Sequence, residues 1–124
     1  MAKVFYTNEH EYVQVKGDVA YIGVTDYAQE QLGDIVYVEL PEIDDEVEIG
    51  DSIGVVESVK SAADVFAPVS GTIVEVNEDL EDQPELINED PMEAWICQIE
   101  LSDKSELDEL MDEEEYKAFV ESEQ

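Results

Sequence analysis

Two segments of the chain begin alike. Gly33 opens GDIVYVELPEIDDEVEIGDSIGVVE, and Gly71 opens GTIVEVNEDLEDQPELINEDPMEAWICQIE. Both start Gly-x-Ile-Val-x-Val and run into an acidic loop. They then pass VEIGD in one copy and LINED in the other, and close on a strand ending in Glu. A β unit repeated once narrows the choice of fold. Each copy has an apolar face that needs a cover, and two copies are too few for a solenoid. The expectation is two sheets related by a rough two-fold, each covering the other, closed as a sandwich or flattened barrel.

The remaining pattern agrees. YVQVK, DVAYIGV, DIVYVEL, SIGVVES, GTIVEVN and AWICQIEL are short, rich in Val, Ile and Tyr, and bounded by turn residues. In the last of these, Trp95, Cys97, Ile99 and Leu101 share one face at period two. Trp95 and Tyr37 read as core residues. TDYAQEQLG reads as a short helix, with Thr25 as N-cap and Gly33 at the C-terminal position that needs positive φ. One domain is expected over 1–124, with residues 102–122 forming a helical segment packed on it. In that segment Ser105 with Asp108 resembles a capping box. Leu107, Leu110 and Met111 make an apolar stripe that Tyr116, Phe119 and Val120 continue.

Charge excludes several classes of function. Thirty-five acids face five lysines and no arginine, for a net charge of −30. Such a surface repels nucleic acid and anionic membranes and favours partners with basic patches. Adaptation to high salt explains the same composition, because screening weakens self-repulsion. The hydrophobic content of 44% is that of a folded chain. No run approaches the roughly 20 apolar residues of a membrane span. The N-terminal MAKVFYTNEHEYVQV has no secretory apolar region and turns strand-like at once. A cytoplasmic monomer is expected, or a mitochondrial matrix protein where a transit peptide has been removed. The single cysteine, Cys97, rules out an internal disulfide and reads as a buried core residue.

Between Asp18 and Asp103 the only cation is Lys60. VVES and ADVFAP read as hairpin arms with VKSA between them, which puts Val59 and Lys60 at the tip of a type I turn. Small neighbours, Ser58, Ser61, Ala62 and Ala63, leave the amine open. One reading is an ordinary solvated lysine, and another is an amine that a second protein modifies. A Schiff-base or general-base role needs a depressed pKa, which a hairpin tip beside Glu57 and Asp64 does not provide. Other chemistry fails on residue type. There is no GxGxxG, P-loop or CxxC, and HEYVQ lacks the second histidine of a zinc motif. The chain is poor in catalytic equipment of its own.

VESVKSAADVFAPVSGTIVEVN resembles the lipoyl-carrying modules, and more closely the H-protein family of the glycine cleavage system. The motif is Glu57, Ser58, Val59, Lys60 and Ser61, followed by Pro68, Ser70 and Gly71. HEYV, GVTDYAQEQLGDIVYVELPE, PELIN and the tail SELDEL…EEYKAF match that family in order, over nearly the whole chain. Biotin carriers place Met beside the lysine, and the lipoyl domains of 2-oxoacid dehydrogenases lack the N-terminal segment, the helix and the tail.

The resemblance implies a mostly β barrel-sandwich hybrid of the lipoyl-domain type, with short peripheral and C-terminal helices. It implies a non-catalytic carrier with (R)-lipoate joined by an amide to Lys60, and with Glu57, Ser58, Val59 and Ser61 as the flanking turn that modifying enzymes read. It further implies shuttling of the aminomethyl group of glycine from a pyridoxal-phosphate decarboxylase to a tetrahydrofolate-dependent aminomethyltransferase. Electrons then pass to dihydrolipoyl dehydrogenase. Lipoate-attaching enzymes complete the partner set, and a lipoyl relay in protein lipoylation is the alternative role. Glu11 aligns with a family glutamate lining the cleft that receives the loaded arm. Tyr27 stands where many relatives carry His, which keeps a hydrogen-bond donor but removes imidazole chemistry.

Overall fold

The computed structural model describes residues 3–123. Among these residues nine strands form two sheets. The larger contains β1 (Lys3–Tyr6), β2 (Glu11–Lys16), β3 (Val19–Val24), β5 (Glu46–Val47), β8 (Gly71–Val76) and β9 (Cys97–Leu101), ordered β1-β2-β3-β9-β8-β5. The smaller contains β4 (Ile35–Glu39), β6 (Ser52–Ser58) and β7 (Ala62–Phe66), ordered β4-β6-β7. All pairings are antiparallel.

The internal repeat becomes one antiparallel pair in each sheet. The first copy supplies β4 and β6 to the small sheet, and the second supplies β8 and β9 to the large one. Their inward residues meet in a shared core that includes Val38, Val56 and Val65 from one sheet and Val13, Ile73 and Ile99 from the other. This is the barrel-sandwich hybrid expected. The acidic loop of the second copy is more ordered than a loop reading implies. It forms two one-turn helices, α2 (Asp79–Asp82) and α3 (Leu86–Glu89), because Leu80 and Ile87 are drawn fully into the core.

The first helix, α1 (Asp26–Leu32), is bounded as its sequence implies. Thr25 Oγ1 accepts the Ala28 amide at 3.2 Å, and Gly33 ends the helix at φ 84°. The tail forms a 3-10 turn over Lys104–Glu109 and a helix α4 over Glu113–Glu123. The expected Ser105/Asp108 box is not the cap. Asp103 instead accepts the Ser105 amide at 3.0 Å, and the reciprocal box lies one segment later, between Asp112 and Glu115. Leu107 and Leu110 pack against the core. Glu106 clamps the tail to the body, accepting the Ser70 amide at 2.7 Å and the Ser70 hydroxyl at 2.8 Å.

Tyr37 is not a core residue. It is 50% exposed, because β4 carries a bulge between Ile35 and Tyr37. Without the bulge, strict alternation would bury Ile35, Tyr37 and Glu39 together. With it, the phase reverses after Val36, so Val38 faces the core and Glu39 faces out. Removing Glu39 from the core leaves Val36 and Tyr37 exposed side by side. Trp95 is half-buried, edge-on to Tyr21 with ring centroids 5.5 Å apart. Cys97 is fully buried, which pushes its thiol up to about 12.

Candidate functional site

Lys60 lies at the tip of the β6–β7 hairpin, which pairs Glu57 with Ala62 at its last rung. Among the described residues only His10 and Asp44 combine a side chain with positive φ, so the turn is not a primed type. Ser58 holds it instead. Its hydroxyl accepts the Lys60 amide at 3.2 Å and the Ser61 amide at 3.1 Å, and donates to the Ser61 carbonyl at 3.1 Å. The Ser58 amide bonds the same carbonyl at 2.7 Å. Four hydrogen bonds from one serine make a small turn rigid without glycine. Val59 is 68% exposed, Lys60 and Ser61 are exposed, and Lys60 forms no ion pair with any described residue.

The tip rests on a shelf. The Val59 amide donates to the Asp34 carbonyl at 3.1 Å. The Lys60 stem crosses Gly33, with Cε 3.2 Å from where a Cβ on Gly33 would stand. The φ of 84° that ends α1 is what requires glycine at position 33, and the flexible lysine stem packs over it. Asn88 of α3 fixes the shelf from below. Its Nδ2 donates to the Gly33 carbonyl and to Gln29 Oε1, both at 2.9 Å, and its Oδ1 accepts the Ile35 amide at 2.8 Å. Neither the Asn88 contacts nor the packing of the lysine stem on Gly33 was visible in the sequence, where Gly33 read as a helix cap and as the start of the repeat.

A cleft of about 180 Å³ lies between α1 and the hairpin strands. Tyr27 and Leu32 line one side, Val56 and Ala63 the other, and Glu11 and His10 stand in its wall. The structure thus brings Glu11 and Tyr27 into one cleft, walled by the strands that carry Lys60. Glu57, Ser58, Val59 and Ser61 are outside it, at and just before the tip.

Glu11 is 3% exposed. Its Oε2 accepts the Phe66 amide at 2.6 Å and its Oε1 accepts the Thr7 hydroxyl at 3.2 Å. Burial raises its carboxyl to about 7, more than these two hydrogen bonds pull it down. A wider groove of about 610 Å³, at the end of β6 and β7 away from the tip, touches Glu11 from the other side.

His10 is a cleft residue that the sequence reading passed over as half of a failed zinc motif. It sits at φ 66°, and its ring is 4.5 Å from the Tyr27 ring, centroid to centroid. Its Nδ1 is 2.8 Å from Tyr116 Oη, which also lies 2.7 Å from Thr25 Oγ1. Tyr6 stacks on Tyr116 with centroids 4.6 Å apart. The C-terminal helix is thereby tied to the cleft wall and to the N-cap of α1. Among the described residues no cluster of His, Cys, Asp and Glu is arranged to hold a metal, and no helix is long and apolar enough to cross a membrane.

Comparisons with known proteins agree on one family. The family model for the glycine cleavage H-protein matches residues 4–123. The chain is 55% identical over 120 residues to the glycine cleavage system H protein of Thermoanaerobacter sp. (strain X514), covering 97% of this chain and 95% of the relative. It is 55% identical over 116 residues to that of Staphylococcus haemolyticus (strain JCSC1435), covering 93% and 92%. The crystal structure of a glycine cleavage system H protein from Mycobacterium marinum superposes with a TM-score of 0.87 at 37% identity, covering 96% of this chain and 97% of that one. With matches over nearly its full length in sequence and in fold, the chain belongs to the glycine cleavage H-protein family.

Proposed function

We propose that this chain is the lipoyl carrier of a glycine cleavage system, with lipoate on Lys60. One observation carries the reading. The sole cation between Asp18 and Asp103 stands exposed at the apex of a rigid hairpin, whose arms wall a cleft that contains a buried carboxyl group. The residues fit the group. The Lys60 amine is open to an attaching enzyme, and the Ser58 bonds hold its root in one geometry. When bound, lipoate supplies a dithiolane that opens and closes, a chemistry this chain lacks because Cys97 is buried and hard to ionise.

A rigid root confines motion to the arm, and tethering keeps the carried group at high effective concentration near the carrier surface. Glu11 and Tyr27 would serve an arm that folds back. Glu11 offers a carboxyl group that exchanges a proton near neutral pH, almost fully buried in the wall of the cleft. The chain itself performs no catalysis in this reading. It presents the aminomethyl group of glycine, received at the pyridoxal-phosphate decarboxylase, to the tetrahydrofolate-dependent aminomethyltransferase. It then delivers electrons to dihydrolipoyl dehydrogenase. A cytoplasmic monomer suits this traffic.

The test is intact-mass and peptide mass spectrometry on protein from its own host, and on the purified chain treated with a lipoate–protein ligase, lipoate and ATP. One lipoyl adduct, on Lys60, is expected. An unmodified Lys60 in both samples would overturn the carrier role.

A further inference from the structure

Five large apolar side chains are exposed among the described residues, and three of them, Val36, Tyr37 and Val59, fall in the two paired segments that meet at the Lys60 turn. The register shows how. Ile35 pairs with Ser58 and Tyr37 with Glu57, while the Val59 amide bonds Asp34. Val36 and Tyr37 therefore flank the last rung of the hairpin that holds the lysine. They lie on β4, an edge strand of the small sheet. Single exposed apolar residues are ordinary, but a group of three in the segments that meet at the Lys60 turn is not.

The repeat supplies an internal control. Its second copy carries the same bulge, between Ile73 and Glu75. Aligning Gly33 with Gly71 puts Glu75 at the place of Tyr37, and Glu75 is exposed. The bulge is thus satisfied by a charged residue. The fold needs Val38 and Ile35 inside, but it does not need an aromatic ring outside.

We infer that Val36, Tyr37 and Val59 form a docking surface for the enzyme that acylates Lys60, and that this enzyme meets them with an apolar pocket rimmed by Lys or Arg. The inference rests on the carrier reading above. Of all partners, the acylating enzyme must come nearest the root. The deprotonated Nζ bonds to the carbonyl carbon of an activated acyl group, the leaving group departs with the electron pair of its own bond to that carbon, and one N–H proton passes to solvent. That geometry brings the enzyme surface to within a lysine side chain of the hairpin. An enzyme working at the far end of the arm has no such need.

Charge complementarity sets the rim. Asp34, Glu39 and Glu57 are the charged neighbours in the register, and among the described residues no cation but Lys60 lies in these segments. The main rival occupant of an exposed apolar patch is a second copy of the chain. A net charge of −30 on each copy opposes that pairing.

The double variant Val36→Thr, Tyr37→Thr keeps strand-forming residues on the edge while removing the apolar surface. With a lipoate–protein ligase, lipoate, ATP and varied carrier concentration, kcat/KM for the variant is expected to fall about tenfold or more, through KM. The melting temperature and the rate of Lys60 acetylation by a small N-hydroxysuccinimide ester should stay at wild-type values. Ile49→Thr, an equally exposed apolar site at the other end of β6, should leave kcat/KM unchanged. Unchanged kcat/KM in the double variant, with the wild type acylated normally, would overturn the docking surface alone. Failure of the wild type to be acylated would overturn the carrier reading and this surface with it. A wild-type dimer that the double variant converts to monomer in sedimentation velocity would assign the patch to a second copy and also overturn the inference.

Discussion

Glu11→Gln is the substitution through which the cleft can be measured. Glu11 is almost fully buried, and burial lifts its carboxyl from 4.5 to about 7 against the pull of the Phe66 amide and the Thr7 hydroxyl. The folded pKa is above the unfolded one. Between pH 4.5 and about 7 the native protein holds a proton that the unfolded chain has released. The contribution of Glu11 to stability therefore falls as pH rises through that window. Above it the ionised form is fully penalised, by about 3 kcal/mol for a separation of this size.

Glutamine removes the penalty at a cost. Its carbonyl replaces Oε2 opposite the Phe66 amide, but its NH₂ then faces Thr7 Oγ1. That hydroxyl already accepts the Glu9 and Glu11 amides, each at 3.2 Å, so it has no lone pair left for a third donor. The mismatch costs about 1 kcal/mol. At about pH 5 the wild type carries roughly 1 kcal/mol of its own penalty, so the two proteins should be nearly equal in stability. At about pH 8.5 the variant should be the more stable by about 2 kcal/mol. Urea unfolding of both proteins at the two pH values reads this directly, because the other titrating acids cancel in the difference. A difference that is flat with pH, or one that moves in favour of the wild type as pH rises, would refute the burial of an easily protonated carboxyl in the cleft wall.

Gly33→Ala should cost about 1–3 kcal/mol for a side chain at φ 84° and ψ −151°, and should leave Lys60 acylation near the wild-type rate, since the flexible Lys60 stem can yield to the new Cβ; urea midpoints and ligase kinetics check the two effects. Tyr116→Phe removes the hydroxyl that meets His10 and Thr25 and should lose about 1–2 kcal/mol, with faster amide exchange in α4 as the readout. Asp44→Gly relieves a side chain held at φ 78° and should raise the urea midpoint by the equivalent of up to about 1 kcal/mol at unchanged m-value. If the acidity is an adaptation to salt, the melting temperature should rise on going to molar potassium chloride, and a flat or falling curve would sink that explanation.

Most of the fold was legible because its signals are local or periodic. Alternating Val, Ile and Tyr located the longer strands, and Thr25 with Gly33 bounded α1, since each cap acts within its own turn. The repeat was read as two similar units, and each indeed supplies an antiparallel pair to a different sheet. What misled or stayed hidden was of two kinds, competing local signals and chemistry shared over distance. The Ser105/Asp108 spacing looked like a capping box, but Asp103 and Asp112 are the residues placed to cap. α2 and α3 left no helical period, because each is a single turn held by one buried side chain. The Asn88 hub joins three segments up to 59 positions away, which no window of sequence can display.

The lysine hairpin was legible for a different reason: its composition is unusual, one cation amid dozens of acids and small residues. Its surroundings were not, and the bulge in β4 shows why. Period-two reading assigns Tyr37 to the core because it shares parity with Ile35. That reading also assigns Glu39 to the core, and this contradiction was the available signal. Burying an unpaired carboxylate costs several kcal/mol, whereas a bulge costs one ladder position, so the strand slips phase and Tyr37 turns outward. The second copy makes the same slip and fills the outward position with Glu75. What the two copies share is explained by the core they close together. Where they differ at one backbone position, with Tyr beside Lys60 in one and Glu away from it in the other, the core makes no demand, and recognition at Lys60 is the physical reason we assign to the difference.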